Sequence, residues 1–102
     1  MHTVLMKRVV IIGDSDLVFR LVKEIHELGA TGYTAYPVRG EGARGVRPRH
    51  EEPGNTKIEV IANRAVAQRI LEHVAKHYFD HYAMIAFLDD VEVVNGTKFG
   101  GP

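Results

Sequence analysis

Four arginines and four glycines share one short stretch, Arg39-Gly40-Glu41-Gly42-Ala43-Arg44-Gly45-Val46-Arg47-Pro48-Arg49 continuing to Gly54. Glycine lets backbone N–H groups approach an anion closely, and the planar arginine fork matches a phosphate or carboxylate. Arg44 and Arg47 are the best candidates for phosphate contacts. Glu41, Glu51 and Glu52 leave the stretch only slightly positive, so a solvated loop without a ligand is the competing reading. A second group is His73, His77 and His81, spaced by four with Asp80 nearby. Two of them sharing a helix face could ligate a transition metal, yet histidines late in a helix also interact favourably with its dipole. The chain offers no HExxH pattern and no nucleophile paired with a base. Its one serine, Ser15, lies between Asp14 and Asp16 and reads as a helix cap.

The totals restrict what such residues can be asked to do. In 102 residues, 13 basic and 13 acidic side chains cancel, which removes the overall positive field of a general nucleic-acid binder. The absence of cysteine excludes disulfides and thiolate chemistry and is compatible with the cytoplasm. The apolar run Val9–Ile12 is too short to span a bilayer, so a soluble, single-domain protein is expected over 1–102.

The elements that must carry these groups follow from period and punctuation. Arg8–Ile12 reads as a strand and is followed by capping oxygens at Asp14–Asp16. A helix then carries Leu17, Val18, Leu21, Val22, Ile25 and Leu28 on one face and ends at Gly29. Strands are predicted at Tyr33–Val38 and Thr56–Ala62, separated by a loop of about eighteen residues, Val38–Asn55. A hairpin needs far fewer residues, so this insertion is expected to be functional. Asn63 caps a second helix from Arg64 to about Tyr78. Met84–Leu88 is a further strand, Val91–Val94 a candidate fifth, and 96–102 a flexible tail. The order βαββαβ predicts an α+β, ferredoxin-like fold with an antiparallel sheet and both helices on one face. Because Val9–Ile12 and Met84–Leu88 are apolar at every position, the opposite face should also be covered, by other copies of the chain. The same topology occurs in acylphosphatases, but their phosphate loop follows the first strand, where this chain has no arginine. It also occurs in RNA-recognition motifs, whose stacking aromatics are missing from Arg8–Ile12 and Thr56–Ala62.

Gly29-Ala30-Thr31-Gly32-Tyr33-Thr34-Ala35 and Val38-Arg39-Gly40-Glu41-Gly42 resemble the second-strand region of PII signal-transduction proteins. With Arg44-Gly45-Val46-Arg47, Lys76–Ala83 and Gly96-Thr97-Lys98-Phe99 included, the chain looks most like PII-like bicarbonate-transport regulators and carboxysome-associated PII proteins. The resemblance implies a homotrimer that binds adenine nucleotides (AMP, ADP, cyclic AMP or ATP) between subunits, with bicarbonate as a co-ligand. It implies no prosthetic group, no catalysis and no nucleic-acid partner. Residues 38–55 would be the T-loop, and the partner a bicarbonate transporter at the inner membrane or another component of inorganic-carbon uptake. Thr34, Gly40, Gly42, Glu59 and Ile61 fall where the family lines its nucleotide pocket, and His81, Tyr82, Ala83 and Met84 form a second lining loop. Met84 replaces the family's phosphate-binding lysine, Val93 and Val94 lie near its arginines, and Arg44 replaces the glutamine used with magnesium and 2-oxoglutarate. The resemblance therefore favours a mono- or diphosphate held by Arg44 and Arg47.

Overall fold

The computed structural model describes residues 1–40 and 54–96. Strand β1 (Val4–Asp14) runs through a single 3-10 turn at Ser15–Leu17 into helix α1 (Val18–Glu27). Strands β2 (Thr34–Val38) and β3 (Asn55–Ala62), helix α2 (Arg64–His77) and strand β4 (Ile85–Val93) follow. The four strands form one antiparallel sheet in the order β2-β3-β1-β4. This is the expected ferredoxin-like arrangement.

Local chemistry sets the helix ends. The Asn63 side chain accepts from the N–H of Val66 at 2.9 Å and starts α2. Helix α1 ends in a Schellman turn, with Gly29 N–H bonded to the His26 carbonyl and Ala30 N–H to that of Ile25. Gly29 sits at φ +116°, which a side chain would strain. At the start of α1 the sequence reading needs correction. Asp14 caps the 3-10 turn, accepting from the Asp16 N–H at 3.1 Å, and α1 itself begins without a side-chain cap, whereas the Ser15 hydroxyl lies 2.6 Å from that of Thr56 and ties the turn to β3.

Odd-numbered β1 residues Val9 and Ile11 face the helices and join Ile58, Val60, Leu21, Ile25, Val66, Ala67, Ile70 and Val74 in one core. Burying each of the larger side chains contributes about 1.5–3 kcal/mol. The register places Val4, Met6, Arg8, Val10 and Ile12 on the other face, beside Ile85, Phe87, Asp89, Val91 and Val93 of β4. Met6 and Val10 are already buried within one chain, but Ile85 and Phe87 remain 53% and 42% exposed. The face is thus apolar with a polar band across it.

No fifth strand occurs among the described residues. Strand β4 runs unbroken through Asp89-Asp90, which in sequence looked like a break. These carboxylates have partners on β1: Arg8 donates to Asp89 at 3.1 and 2.8 Å, and Lys7 pairs with Asp90. Just ahead of β1 the Thr3 hydroxyl donates to Glu92 of β4 at 2.8 Å. Among the described residues no helix is long and apolar enough to cross a membrane.

Candidate functional site

The predicted ligand residues separate into two groups at opposite edges of the sheet. Thr34 pairs with Glu59 across β2 and β3, Ile61 lies two residues further along β3, and Gly40 follows the end of β2. His81–Met84 lead into β4, the other edge strand. Thr34, Glu59, Val10 and Phe87 lie at one level across the sheet, which puts Met84 about 14 Å across and about 10 Å along from Thr34. Gly42, Arg44 and Arg47 lie outside the described residues, as do Glu41–Pro53 generally and 97–102 of the predicted tail.

Glu59 is the centre of the first group, and sequence reasoning missed its neighbours. Tyr36 donates its hydroxyl to Glu59 at 2.7 Å, with Lys57 at 3.7 Å and Arg8 at 4.0 Å from the same carboxylate. Lys57 also stands 5.9 Å from the centre of the Tyr36 ring. Arg8 extends this band to β4. Its hydrogen bond to Asp89 is the main reason that the guanidinium is raised and the Asp89 carboxyl lowered from their ordinary values. The band therefore crosses the whole open face, from Tyr36 to Asp89. Tyr36 and Arg8 could have been found only through the strand register, whereas Lys57 stands two residues before Glu59 on the same predicted strand and so shares its face.

In the second group, backbone and side chains play different parts. The Met84 side chain packs against the core, its methyl resting where a Cβ on Gly13 would lie 3.1 Å away. Tyr82 also packs on the core, with its ring 5.8 Å from that of Tyr78. His81 and Ala83 are exposed. Of residues 81–84, His81 and Ala83 are therefore the ones with exposed side chains, while Tyr82 and Met84 are packed against the core.

Below the loop, Tyr78 and Glu24 join the two helices. The Tyr78 hydroxyl donates to Glu24 at 2.6 Å, His73 Nε2 lies 2.8 Å from the same oxygen, and Arg20 Nε donates to the Tyr78 hydroxyl at 2.8 Å. His73 turns its Nε2 to Glu24, and its ring centre lies 4.5 Å from that of His77. No group of three or more His, Asp or Glu side chains suited to a metal ion occurs among the described residues. Burial pushes the Glu24 carboxyl up, but the hydrogen bonds from Tyr78 and His73 and the nearby charges outweigh it and hold the group below its ordinary range. Burial raises Tyr78, reinforced by Glu24 and opposed by Arg20. A carboxyl lowered in the folded state contributes stability above its unfolded value and loses it as pH falls through the folded one. Thermal melts between about pH 7 and about pH 3 should therefore show an acid limb that is shallower in Glu24→Gln; identical limbs would contradict this assignment.

Among the described residues, one concavity of about 690 Å³ and another of about 270 Å³ are formed within one chain. The larger lies beside α1 and the start of β2, and the smaller between α2 and β4. Neither is lined by Thr34, Glu59 or 81–84.

Fold and site together define a ferredoxin-like domain with a long insertion between β2 and β3 and candidate ligand groups at both sheet edges. Residues 6–98 match the nitrogen regulatory protein P-II family, and the chain belongs to that family. A PII-like signaling protein from Thermus thermophilus is 43% identical, with 97% of this chain and 99% of that one covered at a TM-score of 0.84. CPII from Thiomonas intermedia K12, a nitrogen regulatory PII-like protein bound to ADP, AMP and bicarbonate, is 19% identical at a TM-score of 0.86, with 96% of each chain covered. The GlnK–ATP complex of B. subtilis is 18% identical at a TM-score of 0.62, covering 85% of this chain and 83% of that one.

Proposed function

We propose that the chain is a PII-like sensor of adenine nucleotides, assembled as a homotrimer through its open sheet face. In this reading 1–102 form one domain. The β2 edge of one copy, with Thr34, Gly40, Glu59 and Ile61, meets the β4 edge of the next, with His81, Tyr82, Ala83 and Met84. The observation that carries it is the separation of these groups to opposite edges of the sheet. A ring of identical copies joined head to tail would bring them together. That CPII binds ADP, AMP and bicarbonate and that GlnK binds ATP supports the choice of ligand.

Gly42, Arg44 and Arg47 would close over the phosphates. A ligand shifts a loop only when it binds one loop state more tightly, and two guanidiniums reaching a diphosphate would supply that difference. The loop would then present or withhold a surface for a partner in inorganic-carbon uptake, a bicarbonate transporter at the inner membrane. The protein itself would work from the cytoplasm as a switch without turnover, with bicarbonate as a co-ligand.

Calorimetric titration of ADP into wild type and Arg44→Ala tests the ligand. A lost charge-assisted contact of about 1.5–3 kcal/mol predicts a fall in affinity of at least about tenfold. Equal affinities would remove Arg44 from the site, and steady release of phosphate would replace the sensor by an enzyme.

A further inference from the structure

We propose that Tyr78 and Glu24 are positioning residues that hold the loop 79–84 in place, a proposal that rests on reading this loop as a nucleotide-binding element. Tyr78 closes α2, and its carbonyl accepts the N–H groups of both His81 and Tyr82 at 3.0 Å. The first turn of the loop is therefore built on this one residue. Its side chain is 1% exposed, and its hydroxyl is anchored to Glu24 and Arg20 of α1.

The anchoring continues into the loop itself. The Arg20 guanidinium lies 4.7 Å from the centre of the Tyr78 ring and 5.9 Å from that of Tyr82. Glu24 is in turn held by His73 of α2, whose ring centre lies 4.5 Å from that of His77. One connected set of contacts thus runs from the outer helices through Tyr78 to the amides of His81 and Tyr82. The core fixes the ring of Tyr78, but its hydroxyl adds a constraint that packing does not: it ties the closing residue of α2 to the side of α1. Loss of that tie lets the residue rotate and frees the turn above it. A preorganised loop spends less of its binding free energy on ordering, so the clamp raises ligand affinity without touching ligand.

Three substitutions separate this role from ordinary packing. Tyr78→Phe keeps the ring and the carbonyl and removes only the hydroxyl. Glu24→Leu removes the acceptor, and Glu24→Gln restores a neutral one. Amide hydrogen exchange is followed at 79–84 and, as an internal control, at 66–74 in the middle of α2. The clamp predicts exchange about tenfold faster at 79–84 in Tyr78→Phe and Glu24→Leu, with 66–74 unchanged and Glu24→Gln close to wild type. It also predicts a fall in ADP affinity of about tenfold in the first two variants only. Unchanged loop exchange overturns the proposal, as does equal acceleration at 66–74, which would mark a loss of packing alone. Faster loop exchange with undiminished ADP affinity also overturns it. Should wild type bind no ADP, the reading of the loop as a nucleotide element fails, and the exchange pattern alone decides the clamp.

Discussion

Replacing Phe87 with aspartate is expected to leave a folded chain that neither self-associates nor binds ADP. Phe87 stands on the open face of an edge strand, 42% exposed, opposite Val10. The helix-side core does not include it. The folded chain should tolerate the change at the cost of the weak strand propensity of aspartate, about 1 kcal/mol or less, and of the apolar contact made by the buried part of the ring, about 1–2 kcal/mol. In the proposed assembly the same position is buried against a neighbouring copy. A carboxylate placed there without a partner loses several kcal/mol of hydration, enough to dissociate the ring. Because ligand groups from two edges would then no longer meet, ADP binding should disappear with the oligomer. Light scattering, circular dichroism and titration on one sample check this. A helical, folded protein of monomer mass that gives no heat with ADP is the expected outcome, and an oligomer of wild-type mass would contradict the proposed interface.

The start of α2 and the end of α1 were legible in the sequence because capping is local. Asn63 and Gly29 announce their positions through side-chain and backbone chemistry within a few residues. Strand extents were less legible because they depend on the neighbouring strand. β1 begins at Val4 and reaches Asp14, beyond the Arg8–Ile12 run that its β-branched residues suggested. The continuity of β4 through Asp89-Asp90 depends on Arg8 and Lys7, some eighty residues earlier. A pair of adjacent carboxylates resembles a turn until its cations are found.

The candidate site divides in the same way. Thr34 and Glu59 were reached through resemblance, and the register then made them direct neighbours. Tyr36 was missed because its hydroxyl meets Glu59 through a hairpin whose pairing no sequence period reveals. Met84 illustrates the reverse. Resemblance assigned it to the lining loop, but its side chain packs on the core beside Gly13, where the absence of a Cβ leaves room for it. Tyr78 read simply as the end of α2, since its hydroxyl partners Glu24 and Arg20 lie on the other helix.

Complementation between two disabled chains tests the shared cleft most directly. Thr34 and Ala83 are both exposed, at opposite edges of the sheet, so glutamate can replace either without disturbing the core. Each change places a negative charge beside the proposed nucleotide, and neither Thr34→Glu nor Ala83→Glu alone should bind ADP. Unfolded together in equal amounts and refolded, the two variants should form mixed rings in which some clefts take β2 from an Ala83→Glu chain and β4 from a Thr34→Glu chain. Random assembly makes about a quarter of all clefts intact, and ADP binding should return to that level with wild-type affinity. A mixture that binds no more ADP than its separate components would contradict a cleft built from two copies.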